Sequence, residues 1–286
     1  MPSLIDIRRR IRSVKNTQQI TRAMKMVSAA KLRRAQDKVI AARPYAAMLR
    51  KVLANVAVAA ARDVQGGENP LLARRDERRI LLVLVTSDKG LAGAFNSNLI
   101  KAAQRFIAEH ADAAISFELI GRKGRDFFRK RNARIHGDHI NLAAKPAYKD
   151  TAEIAAKAMA LYSAAEIDAV YMVGNEFKSV VAQKLTVTRV LPIEIPEATG
   201  DLDYIFEQPP GEMLNRLVPR YVETEFFRAL LESTAAEHAA RMTAMDAATS
   251  NASEMIDKLT LHMNRVRQAS ITKEIIEVVS GAAAAE

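Results

Sequence analysis

The sequence predicts a small central α/β domain with a mostly parallel sheet, set between two long terminal helices that pair as an antiparallel coiled coil. Three observations predict it. Apolar residues keep heptad spacing through residues 3–60, the same spacing returns between Leu214 and Val266, and strand-like runs alternate with helical ones between them.

The first helix follows steps of three and four from Leu4 through Ile7, Ile11 and Val14. The seam then turns polar at Gln18, Thr21, Lys25 and Ser28, and resumes as Leu32, Ala35, Val39, Ala42, Ala46, Leu49, Leu53, Val56 and Ala60. Over the polar interlude the apolar stripe drifts to Ile20, Met24 and Val27. Pro44 lacks a donor, so it should bend the helix or loosen one hydrogen bond. At 1.5 Å per residue this helix spans about 85 Å, too long to lie inside a domain of this size.

"RDVQGGENPLLARRDE" at 62–77 reads as a polar linker into the middle domain, residues 76–195. Candidate strands there are 80–87, 115–121, 169–175 and 184–191, and candidate helices are 94–110, 123–131 and 151–164. That alternation favours a parallel sheet with helical crossovers. "QPPG" at 208–211 then opens the last helix, with proline at its first turn. Its seam runs Leu214, Leu217, Tyr221, Leu231, Ala235, Met242, Met245, Ala252, Ile256, Leu259, Met263 and Val266, with Thr224, Arg228, His238 and Thr249 at intervening positions. Residues 211–281 as one helix would be about 105 Å long, with Pro219 a candidate kink. The expected segments are an N-terminal coiled-coil helix at 1–62, the α/β domain at 76–195 and a C-terminal coiled-coil helix at 209–286.

Charge is unevenly placed. The net formal charge is +10, yet residues 1–50 hold 13 Lys and Arg against Asp6 and Asp37 alone, an excess of +11. A basic arm on a nearly neutral remainder predicts an acidic partner. Aromatic residues make up 5% of the chain and none precedes Tyr45, so the arm has no stacking platform for single-stranded nucleic acid. With no cysteine there is no disulfide, thiolate metal site or thiol switch. The longest strongly apolar run, 80–85, falls far short of the ~18 residues of a spanning helix. "MPSLIDIRRRIRS" lacks the order of a signal peptide. A soluble, cytoplasmic protein without direct membrane insertion is expected.

"LLVLVTSDKGLAGAF" at 81–95 reads as a buried strand, a glycine-flanked turn and a helix, the setting in which freed N–H groups hold phosphate. Its glycines match neither G-x-x-x-x-G-K-[ST] nor G-x-G-x-x-G, so a structural or protein-contact turn is favoured. "GRKG" at 121–124 reads likewise as a loop on a solvated face. His136, Asp138 and His139 in "HGDH" are placed in a short loop with no helix to orient a metal site. No G-x-S-x-G elbow occurs, and Glu194 and Glu197 flank prolines as linker residues. No catalytic, cofactor or metal site is expected.

The interludes carry more. After Val266 the C-terminal seam gives way to Arg267, Gln268, Ser270, Thr272 and Lys273. An antiparallel pair is expected to gather both interludes, with Met24 and Met26, at one polar and basic tip suited to contacts that form and break.

At these residues the chain resembles the gamma subunit of the F-type ATP synthase, of bacterial type. The resemblance covers nearly the whole length. It rests on "ITRAMKMVSAAKLRRAQ" (20–36), "ARPYA" (42–46), "TSDKGLAGAFN" (86–96) and "ATSNASEMIDKLTLHMNRVRQASITKEIIEVVSGA" (248–282). It implies a non-catalytic rotary shaft inserted in a ring of three alpha and three beta subunits. It also implies that the α/β domain stands at the foot, against the epsilon subunit and the membrane c-ring, on the cytoplasmic face of the inner membrane. Proton flow would turn the shaft and cycle each beta site through binding, synthesis and release.

By the same resemblance, Met24 and Lys25 face an acidic loop of the beta subunit, and Lys89 belongs to a second contact near it. Arg267, Gln268 and Thr272 match a polar catch on a beta-subunit loop. Tyr204 and Glu207 match foot residues near the membrane ring. Ala92 stands where family members often have cysteine, and the cysteine-bearing chloroplast insert is missing. Two rivals remain at this stage: a coiled-coil nucleic-acid-binding protein, whose affinity would fall steeply with salt, and a nucleotide-dependent enzyme using the α/β domain.

Overall fold

The computed structural model describes residues 4–62, 69–180, 182–194 and 206–283. In chain order its elements are α1 (Leu4–Arg62), β1 (Arg79–Val85), α2 (Phe95–Glu109), β2 (Ala114–Ile120), α3 (Arg122–Arg129), β3 (Ile135–His139), a 3₁₀ turn (Leu142–Ala144), α4 (Tyr148–Ser163), β4 (Ala169–Phe177), β5 (Gln183–Leu191) and α5 (Pro210–Ala283). Pro44 and Pro219 both lie inside continuous helices. The chain divides into two compact units, one from residues 1–28 and 241–286 and the other from residues 29–240.

The first unit is a helix pair. Every seam position of α1 here, from Leu4 to Ser28, is buried or half-buried, and so are Met242, Met245, Thr249, Ala252, Ile256, Leu259, Met263 and Val266 of α5. The Thr21 and Thr249 hydroxyls meet at 2.8 Å, and Lys25 Nζ donates to Asp246 Oδ1 at 2.6 Å. One number rises as the other falls, so the helices run antiparallel. The polar interlude therefore stays in the seam. Thr21 and Ser28 are 8% and 3% exposed, whereas Ile20 and Val27 on the drifting stripe are 60% and 56% exposed. Heptad geometry decides the face here, and hydrophobicity does not.

The second unit is built on a five-stranded sheet of order β3-β2-β1-β4-β5. β1 pairs in parallel with β2 and β4, and β2 with β3, while β4 and β5 are antiparallel. The connection over 178–182 is too short for a crossover, so β5 can only turn back. The central strand β1 is buried on both faces, which explains its unbroken apolar run. Leu81, Val83 and Val85 pack with Leu53 and Val56 of α1, Ile154 and Tyr162 of α4, and Val218, Val222 and Phe226 of α5. Ile80, Leu82 and Leu84 face Leu99 and Phe106 of α2 and Phe128 of α3. Each fully buried aliphatic or aromatic side chain contributes roughly 1.5–3 kcal/mol.

Residues 230–237 of α5 are buried all round. Small side chains in "STAA" (233–236) allow close approach to the sheet, and Ser233 Oγ donates to the Val85 carbonyl at 3.3 Å.

Two expectations need correction. The described part of the linker is packed: Leu71 joins the core, Tyr162 OH donates to the Ala73 carbonyl, and Arg75 lies over the Tyr162 ring. "HGDH" is also no loop, but most of edge strand β3. Glycine and alternating polar residues hid it, because an edge strand needs only backbone partners and one covered side. Gly137 leaves room for the Glu118 carboxylate, since a Cβ there would sit 2.4 Å from Glu118 Oε1 and push that side chain aside. His139 Nε2 lies 2.5 Å from Glu118 Oε1, and Arg125 pairs with Asp138 at 3.7 Å. No cluster of three or more metal-ligating side chains occurs among the described residues.

At the N-terminal edge of the sheet, Asp168 ties β1 to β4. Its carboxylate accepts from the Arg79 backbone N–H at 2.9 Å and from the guanidinium at 3.1 and 2.8 Å. The guanidinium bonds hold the Asp168 carboxyl below its ordinary range against the opposing effect of burial. A depressed value contributes stability above the unfolded carboxyl pKa of about 3.9, lost as pH falls through the folded one. Asp168→Ala is expected to cost about 1.5–3 kcal/mol at pH 7. In thermal unfolding of the chain, the gap between wild type and variant should narrow steadily below pH 4.

Candidate interaction surfaces

The turn after β1 is built around anions and donors belonging to the chain itself. Ser87 Nα donates to Asn96 Oδ1 at 3.0 Å, and Ser87 Oγ reaches the Lys89 carbonyl at 2.6 Å, closing the loop onto the first turn of α2. Asp88 uses Oδ1 to accept from the Arg122 N–H at 3.1 Å, where α3 begins, and Oδ2 to accept from the Asn141 N–H at 2.9 Å. Freed N–H groups at a helix start favour an anion. Here that anion is an aspartate, not a phosphate.

The two glycines of the turn are unequal. Gly93 has φ 56° and Leu91 has φ 62°, so left-handed backbone is needed at both. A Cβ on Gly90 would meet only the Lys123 side chain at 3.8 Å, an ordinary contact. The stricter glycine is Gly121, with φ 96° and a would-be Cβ 2.2 Å from the Thr86 carbonyl oxygen. Beside it Thr86 Oγ1 accepts from the Gly124 N–H at 2.9 Å, fixing α3 against the end of β1. "GRKG" is thus a strand-to-helix junction rather than a loop. Lys89 is exposed on the turn.

The remaining residues singled out in the sequence are dispersed. Met24 and Lys25 are half-buried, and the Lys25 ammonium is held by Asp246. Extending the register set by Thr21 and Thr249 brings Leu4 level with Val266. Arg267, Gln268 and Thr272 therefore lie beyond the described start of α1, all exposed, with Thr272 Oγ1 bonded to the Gln268 carbonyl at 2.9 Å. The expectation that both interludes share one tip fails: the helix from Asp246 to Arg267 covers about 30 Å at 1.5 Å per residue. Glu207 is exposed just before α5. Tyr204 lies outside the described residues.

One charged surface escaped the sequence reading. Residues 122–134 carry seven Lys and Arg against Asp126 alone, a local excess hidden by the near-neutral total after residue 50. α3 turns much of this charge outward, while Phe128 anchors it to the sheet.

A family model described as ATP synthase matches residues 3–285. The ATP synthase gamma chain of Solibacter usitatus is 75% identical over 286 residues, covering 100% of both chains. Among solved structures, a chain of the Euglena gracilis mitochondrial ATP synthase in rotational state 3 superposes with a TM-score of 0.67 at 18% identity, covering 98% of this chain and 94% of that one. A chain of the Tetrahymena thermophila mitochondrial ATP synthase central stalk and c-ring gives 0.62 at 24% identity, with 80% and 99% covered. Those two likenesses bear on the fold.

Substitutions separate the structural glycine before α3 from the incidental one in the turn after β1. Gly121→Ala meets both a left-handed backbone and a carbonyl, and is expected to cost on the order of 3 kcal/mol. Gly90→Ala should change stability by no more than about 0.5 kcal/mol. Denaturant unfolding of the two variants checks the contrast.

Proposed function

The chain belongs to the ATP synthase gamma chain family, and on that premise we propose how this non-catalytic, rotary central-stalk subunit engages its partners. Its three segments divide the work. The helices at 1–62 and 209–286 form the shaft within the ring of alpha and beta subunits, and the α/β domain at 76–195 is the foot, toward the epsilon subunit and the c-ring. By the family resemblance, Glu207 and Tyr204 are assigned to contacts near the membrane ring. No helix among the described residues is long and apolar enough to cross a membrane. On the family reading, attachment is peripheral, at the cytoplasmic face of the bacterial inner membrane.

One observation carries the reading of the shaft. Past Val266 no described residue of α1 is level with α5, which continues with Arg267, Gln268 and Thr272 exposed. These polar groups are the catch for a loop of one beta subunit at a time. Farther along, Met24 and Lys25 meet an acidic loop, and Lys89 meets the same kind of loop from the turn after β1. Exposed ion pairs of ~0–1 kcal/mol each guide such contacts without locking them. A shaft with unlike faces presents each beta subunit with a different set. Because a partner shifts a conformational equilibrium only by binding its states unequally, those differences set nucleotide affinity. About 1.4 kcal/mol of differential contact is a tenfold change, so several contacts together move a site from tight to open.

Lys25 already has one carboxylate partner in Asp246. Its bond to Asp246 must open, or be shared, when the acidic loop arrives. That exchange of one carboxylate for another costs little, as a turning contact requires.

Purification from membranes should give a complex in which alpha and beta subunits dominate; recovery as a lone monomer would count against the stalk reading. The isolated chain is expected to hydrolyse no ATP. Replacing Arg267 and Gln268 together by alanine should leave the complex assembled but lower its proton-driven ATP synthesis severalfold. Normal synthesis rates by the assembled variant would remove the catch from these two residues.

A further inference from the structure

The outer face of α3 carries charge that neither the shaft nor the opening turn uses. Arg122 and Arg129 are seven residues apart, as are Lys123 and Lys130, which makes two rows on one side of the helix about 10 Å long. All four side chains are exposed, and none has an ion-pair partner among the described residues. Asp126, the one acid between them, is already taken by Arg125 at 2.8 Å, and those bonds hold its carboxyl below the ordinary range.

The helix cannot turn this face away. Phe128 is buried against Phe117, with ring centroids 4.3 Å apart, and Gly124 is bonded to Thr86. Asp88 already fills the anion position at the start of α3, so an incoming acid meets the side-chain cations and not the backbone N–H groups. The apolar ring nearest the surface, Phe127, is covered by the Arg131 guanidinium at 3.6 Å.

We propose that the outer face of α3, through Arg122, Lys123, Arg129 and Lys130, docks a carboxylate-rich segment of another subunit of the complex. The proposal rests on the central-stalk reading for the identity of the complex. Charge complementarity selects the partner: four cations spaced within about one Debye length of each other act jointly on a run of Asp and Glu. A membrane surface fits less well. Interfacial helices add apolar or aromatic side chains that enter the lipid boundary, and this face offers none. The surface also continues the basic edge of the turn after β1, since Lys123 lies against Gly90, next to Lys89. Contacts of this kind are polar and shallow, so they can be made and released as subunits move past one another.

A zero-length carbodiimide, which joins lysine amines to carboxylates in direct contact, tests this on the purified, assembled complex. Mass spectrometry should find Lys123 or Lys130 joined to an Asp or Glu of a different subunit. Reversing the flanking charges with Arg122→Glu and Arg129→Glu, which leaves both lysines in place, should lower that yield at least about tenfold. Arg122→Lys and Arg129→Lys should restore it. The proposal is overturned if neither lysine is joined to another subunit in the intact complex, or if charge reversal leaves the yield unchanged. It is also overturned if the two amines gain protection from acetylation only on adding phosphatidylglycerol vesicles, which would assign the face to lipid. Because the starting material is the complex with its full set of subunits, failure of the stalk reading appears at purification, and failure of this surface only in the crosslinks.

Discussion

Antiparallel pairing of α1 with α5 is the constraint on which the other features depend. Neither helix could persist alone, because most helical stability in water comes from packing one apolar face. The pairing determines which residues are level with one another: Thr21 with Thr249, Lys25 with Asp246, Arg50 with Glu225. It also determines where α5 loses its partner. The exposed polar residues of the stalk follow directly from that register, since the side chains after Val266 have nothing of α1 opposite them among the described residues.

Burying Thr21, Ser28, Thr249 and part of Lys25 in the seam sacrifices hydrophobic stabilisation. What the polar layer supplies is register. Apolar side chains tolerate slippage by a heptad, whereas a threonine pair at 2.8 Å and an ion pair at 2.6 Å do not. The same layer displaces Ile20, Met26 and Val27 to the outside, where they are available to partners. Fixing the register and exposing an apolar stripe are thus two results of one substitution pattern. In the second unit a denser network plays the corresponding part. Within α5 Arg228 bonds to Glu225 at 2.6 Å and pairs with Glu232 at 3.5 Å, Arg50 of α1 pairs with the same Glu225 at 3.3 Å, and Arg43 of α1 donates to the Phe177 carbonyl of β4 at 3.0 Å. Burial pushes the Glu232 carboxyl up, with the Arg228 charge opposing it.

The turn after β1 shares its strand–turn–helix build with phosphate-holding turns, but its glycines are spaced otherwise. The C-terminal ends of β1 and β2, a turn with left-handed residues and the start of a short helix are all present. At the start of α3 the chain's own groups take the backbone donors, Asp88 accepting from the Arg122 N–H and Thr86 from the Gly124 N–H, while Ser87 closes the turn after β1. A negative side chain at that position repels phosphate as well as replacing it.

Much of this was legible in the residues. Periodicity alone located both helices and their seam, because a heptad repeat encodes a face regardless of whether each seam residue is apolar. Alternation of strand and helix patterns implied the parallel sheet, since each buried strand carries its own apolar run. The motifs at 20–36, 86–96 and 248–282 pointed to the family. Other features were settled only by tertiary structure. The separation of the two polar interludes depends on register, which is a property of the pair and not of either helix. Strand β3 depends on backbone pairing with β2, to which side-chain pattern is a poor guide at an edge. Asp88, Gly121 and the packed segment around Leu71 act through neighbours distant in sequence. The basic face of α3 was present in the sequence as a charge run, but only the burial of Phe128 and Gly124 decided that those cations point outward together.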